Sequence, residues 1–168
     1  MLRIAVVDDE KVMLDRLEEY LTQYGHLHEV QFEIRKFHFP ELFLADYKPA
    51  YDMVLMDIDM PGMNGLEAAR RMRALDENVI LLFVTNLAQY ALHGYEVDAT
   101  DFVVKPLSYS KFEYKMTRAI KHLPRKERPY LLLKTEQGTA SVGLDSVKYV
   151  EVQGHNIFYH TTQGAYRI

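Results

Sequence analysis

The sequence predicts an α/β protein: a doubly wound, five-stranded parallel sheet followed by a short antiparallel β segment. In residues 1–123, apolar runs of strand length alternate five times with segments of helical periodicity. The runs are mostly apolar throughout, as in strands that helices cover on both faces. After residue 129 the helical periodicity stops, and short strand-like runs separated by glycine turns replace it.

The apolar runs and the helically spaced segments of residues 1–123 predict the bounds of each strand and helix. The five strands are expected at Leu2–Val7, Gln31–Phe37, Met53–Met56, Val79–Val84 and Phe102–Val104. The helices are expected at Glu10–Tyr24, Pro40–Asp46, Leu66–Leu75, Ala88–Tyr95 and Ser108–His122. Gly25 is expected to end the first helix, and Ser108 to cap the last one.

Residues 124–129, with the sequence Pro-Arg-Lys-Glu-Arg-Pro, predict a linker between a domain at 1–123 and a segment at 130–168. The segment is predicted to form an antiparallel meander. Its strands are expected at Tyr130–Thr135, Ala140–Val142, Val147–Gln153, Ile157–Thr162 and Ala165–Ile168. Because the chain stops inside a strand-like run, we expect it to be a piece of a longer protein.

Composition narrows the class of protein. The chain has no cysteine, which excludes disulfides and thiolate metal sites. It starts without a signal-peptide pattern, and no apolar stretch approaches the ~20 residues that cross a bilayer. We therefore expect a cytoplasmic protein without a membrane partner. Of the net charge of −4, residues 124–168 contribute +2, a small asymmetry that would suit a polyanion-binding second part.

Polar side chains follow four of the five strands. Asp8 and Asp9 come after the first strand, Asp57 after the third, Thr85 after the fourth and Lys105 after the fifth. Because ligands of doubly wound sheets bind at the carboxyl ends of the strands, we expect these groups to share one cleft.

The carboxylates of this cleft predict a magnesium site. Clustered carboxylates repel one another unless a cation fills the cluster, and oxygen ligands suit Mg²⁺. Asp9 and Asp57 are expected to ligate directly, Asp8 directly or through water, and Asp59 through its backbone carbonyl. Beside such a metal, Asp57 becomes a candidate nucleophile towards a phosphoryl group. Lys105 would offset charge on the phosphoryl oxygens, and Thr85 would donate a hydrogen bond to one of them.

These residues resemble the signature set of the receiver domain of two-component response regulators, a flavodoxin-like fold, over residues 2–122. The matching elements are Asp8-Asp9, Asp57, Met60-Pro61-Gly62-Met63-Asn64-Gly65, Thr85 and Lys105-Pro106. The resemblance implies that Asp57 accepts phosphate from a sensor histidine kinase. It also implies that Thr85 and Phe102 form a switch that alters the face built by helices 88–95 and 108–122 and strand 102–104. A homodimer is expected after phosphorylation. A receiver promotes only its own phosphorylation and dephosphorylation, so we do not expect an enzyme acting on other substrates.

The tail is similar to the opening of a LytTR-type DNA-binding domain over residues 130–168. The similar segments are Val147–Glu151, Gly154-His155-Asn156, His160-Thr161 and Gly164–Arg167, and residues 85–99 resemble the receivers joined to such domains. The family's domain has about 100 residues, so only its first half or less is present. His155 and Asn156 match a loop that enters the major groove, where Asn can read adenine. The resemblance implies control of transcription, with DNA as a partner if the parent protein completes the domain.

Two alternatives remain open. The receiver could act through phosphorylation-dependent protein binding or dimerisation without DNA. More remotely, Asp57-Ile58-Asp59 fits the D-x-D motif of haloacid-dehalogenase-type phosphohydrolases, with Lys105 as the neutralising amine. That motif normally ends the first strand, whereas Asp57 ends the third.

Overall fold

The computed structural model describes residues 1–45, 47–86, 89, 96–123, 130–135, 138–154, 156–162 and 164–168. The chain divides into two compact units, residues 1–124 and 125–168. The linker predicted at 124–129 and nearly all of the helix predicted at 88–95 lie outside the described residues. Within those residues, no helix combines the length and the apolarity needed to cross a membrane.

The first unit is a doubly wound α/β domain. Its five strands form one parallel sheet in the order β2-β1-β3-β4-β5. The elements in chain order are β1 (Leu2–Val7), α1 (Lys11–His28), β2 (Phe32–Phe37), α2 (Pro40–Ala45), β3 (Met53–Met56), α3 (Gly65–Arg73), β4 (Ile80–Thr85), β5 (Asp101–Val104) and α4 (Tyr109–Lys121). The predicted fold class is confirmed.

Alternate side chains of the strands point to opposite faces of the sheet and contribute to two separate apolar clusters. In β1, Ile4 and Val6 join a buried cluster with residues of α1 and α4. Ala5 and Val7 point to the opposite face and join a cluster with α2 and α3. Because helices pack on both faces of the sheet in this way, the carboxyl ends of the strands are where a ligand of such a fold binds.

Helix α1 extends beyond its predicted end. It continues through Gly25 to His28 and closes at Glu29, which is left-handed with φ 54°. Gly25 is required for another reason: a Cβ there would lie 2.6 Å from the carbonyl oxygen of Val30. The Val30 N–H donates to Gly25 O at 3.0 Å, so the glycine admits the returning chain instead of ending the helix.

The second unit is antiparallel throughout its described residues, as predicted. Its strands are β6 (Tyr130–Thr135), β7 (Gly138–Gly143), β8 (Val147–Gln153), β9 (Asn156–Thr161) and β10 (Ala165–Arg167). They form two ladders, the hairpin β6-β7 and the sheet β10-β9-β8. A single 3-10 turn, Leu144–Ser146, separates the ladders, so the predicted meander is interrupted there.

Candidate functional site

The chain reverses its winding direction between β1 and β3, and the first two acids emerge at that point. Val7 and Met56, the last residues of the two strands, are paired in register. The Asp57 N–H donates to Val7 O at 2.9 Å, and the Asp8 N–H donates to Phe37 O at 3.1 Å. The sheet ladder therefore places Asp8 and Asp57 side by side at the carboxyl edge, as the sequence predicts.

Lys105 reaches these acids from the end of β5. Its backbone N–H donates to Thr85 O at 2.9 Å, which extends the β4-β5 ladder by one bond. Its ammonium donates to Asp57 Oδ2 at 2.7 Å and to Asp8 Oδ2 at 2.9 Å. The side chains of Lys105, Asp8 and Asp57 are only 4%, 1% and 3% exposed. Charges so deeply buried require partners, and the three groups supply them to one another.

Burial and hydrogen bonding shift the pKa values of this cluster in opposite directions. Burial raises the pKa of Asp8, although hydrogen bonds from Lys105 and from the Glu10 N–H partly oppose the shift. Burial alone would lower the pKa of Lys105, but hydrogen bonds to Asp57 and Asp8 outweigh it and raise that pKa. Both shifts favour the protonated form, for Asp8 because of burial and for Lys105 because of its two carboxylate partners.

Asp9 completes a carboxylate cluster suited to a hard cation. Asp8, Asp9 and Asp57 each offer one oxygen, and the three oxygens lie within 4.8 Å of one another. Asp9 is half-buried, so the cluster opens to water on its side. An all-oxygen donor set with excess negative charge fits Mg²⁺. Asp59 has an exposed side chain, and its N–H donates to Asp57 Oδ1 at 3.2 Å; metal binding by its carbonyl stays a prediction.

The loop after Asp57 shows an element that sequence reasoning missed. Helix α3 begins one residue earlier than predicted, with Asn64 as its cap accepting from the Glu67 N–H at 2.9 Å. A Cβ at Gly65 would lie 1.9 Å from the carbonyl oxygen of Asp57. The Asn-x-x-Glu spacing was the available signal for the cap. Gly65 belongs to the motif that resembles the receiver family, but its contact with the Asp57 carbonyl depends on the fold.

The two predicted switch residues lie on the neighbouring strands β4 and β5. Thr85 is fully buried at the end of β4. Phe102 in β5 is half-buried, and its ring packs against Phe83 with centroids 5.2 Å apart. Their action as a switch stays a prediction.

The predicted DNA contacts are placed only in part. His155 lies outside the described residues. Asn156 begins β9, and its side-chain oxygen accepts from Arg167 Nε at 3.1 Å. DNA contact by these residues remains a prediction.

Known proteins share this sequence pattern and this fold. A family model for the response regulator receiver domain matches residues 4–117. The sensory transduction protein LytT of Bacillus subtilis is 32% identical over 113 residues, which are 67% of this chain and 46% of LytT. An uncharacterized response regulatory protein of Yersinia pestis is 28% identical over 156 residues, 93% of this chain and 60% of that protein.

A solved structure has a similar fold. The response regulator TrrA of Thermotoga maritima, in complex with Mg²⁺-BeF, is 30% identical, with a TM-score of 0.59. The match covers 71% of this chain and 99% of the TrrA chain. This chain spans only 46% and 60% of its relatives LytT and the Yersinia protein. Since the family model matches residues 4–117, more than half of the chain, the chain belongs to the response regulator receiver domain family.

Proposed function

We propose that this protein receives a phosphoryl group on Asp57 from a sensor histidine kinase and passes the signal to a second domain. One observation carries the proposal: Asp57 Oδ2 lies 2.7 Å from the buried ammonium of Lys105, among the acids at the sheet edge. The other oxygen, Oδ1, accepts from the Ile58 N–H at 2.6 Å. The carboxylate is thus held with one oxygen beside the positive charge that phosphoryl transfer needs.

In the proposed reaction, an oxygen of Asp57 attacks the phosphorus of the donor. A P–O bond to Asp57 forms while the donor's bond to phosphorus breaks, and the electron pair of that bond leaves with the donor. Lys105 offsets the charge of the phosphoryl oxygens, and the Thr85 hydroxyl donates a hydrogen bond to one of them. The chain would act only on its own phosphorylation state, and not as an enzyme with other substrates.

Asp8, Asp9 and Asp57 would hold Mg²⁺, with the backbone carbonyl of Asp59 as a further ligand. The clustering of their oxygens within 4.8 Å supports this assignment. When bound, Mg²⁺ supplies positive charge that offsets charge on the phosphoryl oxygens. The TrrA structure was solved in complex with Mg²⁺-BeF, which supports the same ligand class here.

The proposed output is transcription. Relatives of this chain include the transcriptional regulatory protein LytR of Staphylococcus aureus, 25% identical over 112 residues. We assign residues 130–168 to the start of a LytTR-type domain, in which His155 and Asn156 contact DNA in the complete protein. Phosphorylation would shift Thr85 and Phe102 and favour a homodimer, and the protein would work in the cytoplasm.

The first test is labelling with acetyl phosphate and Mg²⁺, read as the mass of the intact protein. The wild type should gain one phosphoryl group, and Asp57→Asn should gain none because it lacks the nucleophile. Asp15→Asn, which removes an exposed acid of α1, is the matched control and should be labelled like the wild type. Equal labelling of Asp57→Asn would refute the proposal.

Two further measurements address the alternatives. Steady hydrolysis of p-nitrophenyl phosphate would identify a phosphohydrolase in place of a receiver. Light scattering with and without beryllofluoride reports phosphorylation-dependent association. Association of a full-length parent protein that shifts no DNA in a gel would favour the protein-binding alternative over transcription.

A further inference from the structure

Glu10 precedes α1, but its side chain does not cap that helix. Its backbone is extended, with φ −84° and ψ 109°, as expected for a residue at the N-cap position. The carboxylate nevertheless makes no capping hydrogen bond. Instead, the backbone N–H of Glu10 donates to Asp8 Oδ1 at 2.9 Å. This hydrogen bond ties Glu10 to the acidic site.

The side chain of Glu10 reaches the same lysine as the buried acids. Lys105 Nζ lies 2.7 Å from Asp57 Oδ2, 2.9 Å from Asp8 Oδ2 and 3.9 Å from Glu10 Oε1. Glu10 is the exposed member of this set, with 60% of its side chain accessible to solvent. It is therefore an ionic partner of Lys105 from the water-facing side, and not a hydrogen-bond partner.

A carboxylate in this place acts oppositely on the two kinds of ligand. It attracts a cation bound by the neighbouring acids. It repels an anionic phosphoryl group on Asp57, and it competes with that group for the ammonium of Lys105. A unit charge at such a solvent-exposed position changes a binding constant by roughly two- to five-fold.

We propose that Glu10 is a positioning residue that holds part of the Lys105 charge away from Asp57. In this role Glu10 strengthens cation binding and weakens phosphoryl binding at the receiver site. The inference rests on the proposed function, since it concerns the same two ligands. Glu10 would thereby shift the site towards its metal-bound state and away from its phosphorylated state.

The test compares Glu10→Gln with the wild-type chain in two titrations by calorimetry. The first uses Mg²⁺ alone, and the second uses beryllofluoride at saturating Mg²⁺. Glu10→Gln should raise the Kd for Mg²⁺ by roughly two- to five-fold and lower the Kd for beryllofluoride by a similar factor. Both changes should shrink at high salt, because exposed charges are screened.

Two variants serve as controls. Glu19→Gln removes an exposed charge from the outer part of α1 and should leave both Kd values unchanged. Glu10→Asp keeps the charge, so its Kd values for Mg²⁺ and beryllofluoride should lie closer to those of the wild type than the values of Glu10→Gln do. A general loss of folding would weaken both ligands together, so the opposite signs distinguish an electrostatic role from a structural one.

The possible results separate this inference from the proposed function. If the wild type binds neither Mg²⁺ nor beryllofluoride, the proposed function fails. If the wild type binds both, and Glu10→Gln changes neither Kd or shifts both in one direction, only the role of Glu10 is overturned.

Discussion

The two units of the chain bury their apolar side chains very differently. In residues 1–124 both faces of the sheet are covered, and Val54, Leu82 and Phe83 have no exposed surface. In the described part of residues 125–168, only Leu133, Val142 and Thr161 are buried. Large apolar side chains of this second unit remain exposed, among them Tyr130, Leu132, Tyr149, Val150 and Val152.

The difference shows which unit has its own stable core. Hydrophobic burial is the main favourable term in folding, and it scales with the apolar area removed from water. The first unit removes that area on two faces of one sheet, whereas each ladder of the second unit buries little. Residues 1–124 should therefore hold most of the folding free energy, and substitutions can test this unit by unit.

The largest effect is expected for Phe83→Ala in β4. Phe83 is fully buried and also packs against Phe102. Removing its ring should lower the free energy of unfolding by about 3–5 kcal/mol. Urea unfolding followed by circular dichroism at the helix band measures the change, because all α-helices of the described residues lie in the first unit. A loss below about 1 kcal/mol would contradict a tightly packed core.

An intermediate effect is expected for Tyr47→Phe. The Tyr47 hydroxyl donates to Asp76 Oδ2 at 3.0 Å and links the loop after α2 to the loop after α3. Removing the hydroxyl should cost about 1–2 kcal/mol in the same unfolding experiment. An unchanged stability at neutral pH would show that water replaces this bond.

Tyr47 also predicts a pH dependence. Burial and the hydrogen bond to Asp76 raise the pKa of Tyr47 above its ordinary value. The unfolded chain therefore loses this proton first as pH rises above about 10, and stability falls from there towards the raised pKa. Tyr47→Phe should lack this part of the alkaline loss. Unfolding curves at neutral and alkaline pH, compared between the two proteins, measure it.

The smallest effect is expected for Leu132→Ala in β6. Leu132 is 64% exposed, so its removal should change stability by less than about 0.5 kcal/mol. Amide hydrogen exchange of the β6-β7 hairpin measures the change locally. Leu133→Ala, one residue along and 4% exposed, is the matched comparison and should accelerate exchange much more. Equal effects of the two variants would show that Leu132 is as buried in solution as Leu133.

The sequence predicted the sheet and the gathering of polar side chains at its carboxyl edge, because both depend on how the strands end. An apolar run that is followed directly by an acid, a threonine or a lysine predicts a buried strand. It also predicts a polar side chain at the carboxyl edge of the sheet. For this reason Asp8, Asp57, Thr85 and Lys105 were all assigned to one edge of the sheet, and the structure brings the acids and the lysine into contact.

The sequence pattern does not predict the contacts between distant segments. The guanidinium of Arg73 donates to the carbonyl oxygens of Val79, Val97 and Asp98 at 2.8–3.1 Å. These carbonyls meet only after α3 and the segment before β5 have packed. The sequence shows Arg73 only as one of several arginines on a helix. Gly25 is a related case: the sequence predicts the end of α1 there, but the chain that returns at Val30 is what requires the glycine.

Gly65 lies so close to the Asp57 carbonyl that no side chain fits between them. In a library of single substitutions scored for signalling, position 65 should therefore be as intolerant as the acids themselves. Even alanine would push the first turn of α3 against the backbone of Asp57, the proposed phosphoryl acceptor. A mutational map would then mark a residue that touches neither metal nor phosphate as part of the active centre.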